Sequence, residues 1–205
     1  MNANADKIRK ALQTYNGQRQ QAEARIKQIK DLYGPEAAQH EQERQDKTLK
    51  QARTTAEETI RTAHRDGRSG AAAWGVLDGS KLTDDARLLD AGLVDAEAFK
   101  DMKTRYKDNF TMLSALRKYG EKQNAAAAEE ARKSGDIFGG KMLEPFETRD
   151  IPTANSKVER WDKLQASALD TLDAIDGVGR YSDDWNKSFG RAALPERLEH
   201  FGEDM

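Results

Sequence analysis

The 205-residue chain has no cysteine, which excludes disulfides and thiolate chemistry and fits a reducing compartment. Histidine is nearly as scarce. His40, His64 and His200 have no spacing that puts two on one helix face, so a zinc site would need distant elements and none is expected. Only four prolines interrupt the backbone. No run of about 18 apolar residues could span a bilayer, and Met1 to Lys10 lacks the apolar centre of a signal peptide. The expectation is a cytoplasmic chain with no membrane contact. Charge of one sign is also lacking: 34 basic residues face 36 acidic ones, and residues 1–66 carry 13 basic against 10 acidic. Neither half has the basic excess that counterion release from nucleic acid exploits.

What is present is charge and helical period. The chain is 37% hydrophobic and 34% charged, thin supply for one compact core. Strong periodicity excludes plain disorder and favours elongated helices that each bury a stripe. The clearest stripe is Ile8, Leu12, Tyr15, Arg19, Ala22, Ile26, Ile29 and Tyr33, on a strict 4-3-4-3 count. Such a narrow stripe is a coiled-coil seam, and a self-association surface is expected there. Arg19 reads equally as the polar seam residue that sets register and as a side chain snorkelling across a weak position.

The first helix is expected from Asn4 or Asp6 to Tyr33, stopped by Gly34-Pro35. A second follows from Glu36 to about His64 with a weaker stripe: Ala38, Leu49, Ala52, Ala56, Ile60 and Ala63. The short connection suggests an antiparallel hairpin over residues 1–66 with arms of about 45 Å. Gln42 and Gln45 weaken that second stripe, so a kinked helix pairing with another copy stays open. Residues 67–82, with glycines at 67, 70, 75 and 79, read as a Gly-rich loop. Trp74 within it is either a plug on the helices or a partner contact. A helical region, 83–135, comprises a short helix closed by Ala91-Gly92, then a continuous one on Phe99, Met102, Tyr106, Phe110, Leu113 and Leu116. Asp95 is its expected N-cap, with Val94 and Phe99 as a hydrophobic staple. Residues 136–156 read as an extended arm whose Ile137, Phe138, Met142, Leu143 and Phe146 contact a partner. C-terminal helices, 157–205, follow a capping box at Ser156-Lys157-Val158-Glu159.

Chemistry-bearing motifs are weak. Asp84-Asp85 and Asp183-Asp184 are explained by capping and the helix dipole. Gly139-Gly140 lacks the Gly-Lys-Ser/Thr of a phosphate loop, and Gly177-Val178-Gly179 follows a helix rather than a strand. No catalytic residue, cofactor or small-molecule substrate is indicated.

The Gln/Glu/Lys-rich coiled-coil texture of residues 1–66 resembles virion-associated proteins of tailed bacteriophages: scaffolding, internal head and accessory structural chains. The stretch from Ala86 to Phe99 is similar to the helix–Gly-Leu–helix corner of short bacterial and phage modules. The resemblance implies virion association and transfers no functional residue. Scaffolding proteins often end in a basic capsid-binding helix, whereas Glu196 to Met205 is acidic on balance. The reading at this level is an all-α, elongated hairpin or coiled coil followed by a small helical bundle, non-enzymatic, working by self-association and protein bridging. The alternative is a binding module or inhibitor acting on a protein, or on nucleic acid through Lys7, Lys10, Arg25, Lys27 and Lys30.

Overall fold

A computed structural model of the chain describes residues 2–133, 145–177, 198–199 and 201–202. Ile137, Phe138, Met142 and Leu143 lie outside these residues, as does most of the expected C-terminal tail. Among the described residues every regular element is helical: α1 (Ala3–Tyr33), α2 (Pro35–Trp74), a 3-10 turn (Gly79–Lys81), α3 (Asp85–Asp90), α4 (Ala96–Arg105), α5 (Phe110–Lys133) and α6 (Ala154–Asp176). The all-α expectation and the long N-terminal helix pair hold.

The chain forms two compact units: one up to Gly70 together with the stretch from Glu159 onward, the other Ala71–Val158. Among the described residues the first is a three-helix arrangement of α1, α2 and α6. α1 starts where the Asn2 side chain accepts from the Asn4 N–H, and ends at Gly34 with φ 89°. That left-handed conformation suits glycine, and Pro35 opens α2. The helices then run antiparallel, since Arg25 sits near Glu41 while Ala11 and Tyr15 face Ala52 and Ala56. The α6 part of this unit runs antiparallel to α2: Asp162 meets His64 at 2.8 Å, and Asp173 meets Arg53 at 2.5 Å. Ile8, Leu12, Ile60, Ala168 and Leu172 are fully buried.

α2 reaches Trp74 rather than ending near His64, so residues 67–74 are helix where the glycines suggested a loop. A helical glycine costs about 1 kcal/mol relative to alanine, and packing offsets it. A Cβ on Gly67 would lie 2.5 Å from Cε2 and Cη2 of Trp161; here glycine admits an indole rather than breaking a helix. Arg68 then reaches Asp162 at 3.1 Å.

The second unit packs α3, α4 and α5 around Leu89, Val94, Phe99, Met102, Met112, Leu116 and Tyr119. Asp95 caps α4 by accepting from the Ala98 N–H at 2.8 Å, and the staple residues Val94 and Phe99 are both buried. The helix expected to run unbroken from Phe99 instead stops at Arg105 and restarts at Phe110. Asn109 caps the new start, accepting from the Met112 N–H and donating to the Lys81 carbonyl. Asn competes with helix backbone in this way without Gly or Pro announcing the break. The α6 cap lies one turn earlier than expected: Thr153 and Ser156 exchange side chain–backbone bonds at 2.9 and 3.0 Å.

Candidate interaction surfaces

The most polar interior of the first unit lies where α6 ends. Asp176 accepts from the Tyr15 hydroxyl at 2.5 Å and also binds Arg53, while Arg19 stands 3.6 Å away. Arg53 reaches Asp173 and Glu57 as well. An acid at a helix C-terminus opposes the dipole, and two other helices, α1 with Tyr15 and Arg19 and α2 with Arg53, supply the donor and cations that hold it. Burial, together with the hydrogen bond to Asp176 and its charge, pushes the Tyr15 hydroxyl well above the ordinary tyrosine range. Burial works against the Arg53 charge, but its bonds to Asp173, Asp176 and Glu57 outweigh that and hold it above the ordinary range. Both groups keep their protons through neutral pH. The cluster therefore ties helices together.

The seam residues divide at this clamp. Ile8, Leu12, Tyr15 and Ala22 are buried, with Tyr15 held between Asp176 of α6 and the groove it shares with α2. Arg19 bridges Asp176 and Glu23. Further along, Ile26 and Ile29 are half-buried, and Tyr33 is 71% exposed beside Leu32 at 63%. The opposing α2 positions Ala38 and Leu49 are buried. Among the described residues α6 ends at Asp176, level with Arg19 and Arg53, so the hairpin beyond is covered by no further described helix.

Between α1 and α2 runs a groove of about 390 Å³, with Ala11, Tyr15, Ala52 and Ala56 inside and Lys7, Lys10, Thr14, Gln18, Thr55 and Thr59 around it. The hydroxyls of Thr55 and Thr59 donate to the Gln51 and Thr55 carbonyls, so they are occupied within α2.

In the second unit, Trp74 packs against Phe110 with ring centroids 4.7 Å apart, and the Lys157 ammonium sits 3.5 Å from its ring centre. Cation–π attraction and stacking hold it half-buried. Phe146 sits edge-on to Phe99 at 5.2 Å and Tyr119 at 5.5 Å. Asn124 receives the Phe146 N–H and donates to its carbonyl. A Cβ on Gly120 would meet Thr148 Cγ2 at 2.5 Å, so a glycine lets this segment lie close on α5. Lys103 adds a 2.7 Å bond to Asp150. The described end of the expected arm thus lies on this chain's own α4 and α5.

The apolar surface lies elsewhere, in residues that no periodicity singled out. Val76, Leu77, Leu82, Leu88 and Leu93 are 42–73% exposed. Leu88 and Leu93 are joined by the closure of α3: the Leu93 N–H donates to the Leu88 carbonyl and the Gly92 N–H to Leu89, with Gly92 at φ 73°. This Schellman geometry normally brings such a side-chain pair together. The signal was legible in Asp-Ala-Gly-Leu, though not its exposure. The Asp176 clamp was also missed; its available signal was an acid closing an amphipathic helix.

Among the described residues, no group of three or more His, Asp or Glu side chains could hold a metal ion, and no helix is long and apolar enough to cross a membrane. Comparison with protein-family models, with curated proteins and with solved structures finds no match.

Proposed function

We propose that this chain is a non-enzymatic helical assembly or bridging protein, joining copies of itself and holding a protein partner. The supporting observation is large apolar side chains exposed in two places: Leu32 and Tyr33 at the hairpin turn, and Val76, Leu77, Leu82, Leu88 and Leu93 in the second unit. Leu88 and Leu93 are joined by the closure of α3, and neighbouring exposed apolar side chains are where an association surface is expected. The buried polar chemistry, by contrast, is engaged in tying helices. The resemblance of residues 1–66 to tailed-phage structural proteins makes a phage or prophage particle the setting we propose.

The test is solution mass by light scattering across micromolar concentrations. Assembly requires a mass above the 23.0 kDa of one chain. A chain that stays monomeric throughout removes the self-association half of this reading. For the bridging half, Leu77→Asp with Leu93→Asp should abolish incorporation into particles without changing helix content; unchanged incorporation would remove that surface.

A further inference from the structure

We propose that the distal hairpin, residues 22–49, is an isologous dimer surface whose occupant is the same hairpin of a second copy, packed antiparallel. This rests on the self-association reading above and names its surface. Cover by the described third helix ends partway along the hairpin. α1 keeps its apolar repeat through Tyr33, whereas the described third helix stops at Asp176, level with Arg19 and Arg53. From Ala22 to Tyr33 the arm runs about 18 Å. Along it burial falls progressively: Ala22 is 3% exposed, Ile26 and Ile29 half-buried, Tyr33 71% exposed. Among the described residues two helices form this arm, and two cannot enclose a stripe that three enclose nearer the base.

Charge selects the occupant and its orientation. On α1, residues 23–33 carry Arg25, Lys27 and Lys30 against Glu23 and Asp31, net +1. On α2, residues 36–46 carry Glu36, Glu41, Glu43 and Asp46 against Arg44, net −3. Arg25 and Glu41 pair within one hairpin. A two-fold axis that lays each α1 arm along the other copy's α2 arm sets the exposed Lys27 and Lys30 alongside the exposed Glu36 and Glu43 twice, which steers register and pairing. One patch serves both copies, as an isologous contact requires. The dissociation constant expected for this contact is on the order of micromolar.

The test uses the full chain and sedimentation equilibrium with four proteins. Leu32→Glu with Tyr33→Glu alters two exposed side chains, so at dilutions where the wild type is monomeric its circular dichroism and melting should match the wild type, while dimer is lost at higher concentration. Lys27→Glu with Lys30→Glu, and separately Glu36→Lys with Glu43→Lys, should each weaken self-association by roughly ten-fold or more. Mixed in equal amounts, these two charge variants should recover a heterodimer of near wild-type affinity, because each α1 arm again meets an α2 arm of opposite sign. A wild-type dimer that the tip variant leaves intact, or charge variants that the mixture fails to rescue, overturns this surface and leaves self-association standing. A wild-type monomer up to about 200 µM, far above the expected constant, overturns both.

Discussion

Two glycines, both inside long helices of the first unit, should respond oppositely to the same substitution. At Gly17, nothing lies within 4 Å of an added Cβ, so alanine contributes only its better helix propensity, a gain of about 0.5–1 kcal/mol. At Gly67 the same gain is present. There, however, the methyl meets three indole carbons of Trp161, two of them at 2.5 Å. The ring is 4% exposed, and relief requires a shift of about 1 Å in a close-packed site, which costs about 1–3 kcal/mol. The expected net effect of Gly67→Ala is a loss of up to about 2 kcal/mol, and because the propensity gain is common to both variants they should differ by the steric cost, about 1–3 kcal/mol. Urea unfolding followed by helical circular dichroism measures this, provided the denaturant slope is unchanged. Trp161→Leu in the Gly67→Ala background should recover part of the loss as a coupling between the sites. Equal stability of Gly17→Ala and Gly67→Ala would refute the close approach of the two helices.

Other expectations follow from the polar contacts. Asp176→Ala removes the acceptor shared by Tyr15 and Arg53 and should cost about 1.5–3 kcal/mol, read as a lower urea midpoint. Tyr15 has a raised pKa from burial and Asp176, so its contribution is intact below the unfolded value near 10 and is lost as pH rises further. Tyrosinate absorbance should show a late step that Tyr15→Phe abolishes. The Asp162 carboxyl is held below its usual range, first by its bond to His64 and then by the Arg68 charge. Its contribution is therefore present above the unfolded value near 4 and fades as pH falls through the folded value. Asp162→Asn should flatten that acid limb of the stability curve. Asn124→Ala leaves the Phe146 N–H and carbonyl without their partner and should cost about 1–3 kcal/mol.

Much of this architecture was legible locally. Gly34-Pro35 stops one helix and starts another because the first takes φ 89° and the second fixes a helical φ. Asp95, Val94 and Phe99 set the start of α4 by capping and stapling, within one turn of chain. The 4-3-4-3 repeat put Ile8, Leu12 and Tyr15 on one buried line. These features depend on neighbours three or four residues away, which the sequence carries explicitly.

What tertiary structure decided has partners far along the chain. Gly67 reads as a breaker until Trp161, 94 positions later, occupies the space where its side chain would be. Phe146 reads as a contact for another molecule until Asn124, Phe99 and Tyr119 hold it. The seam read as one continuous self-association stripe, and its period is indeed continuous. Only the packing of α6 divides it into a line buried by the chain's own helices and an arm left half-covered. Period determines which face of a helix is apolar. The reach of the covering helix determines where that face meets its own chain and where it meets water.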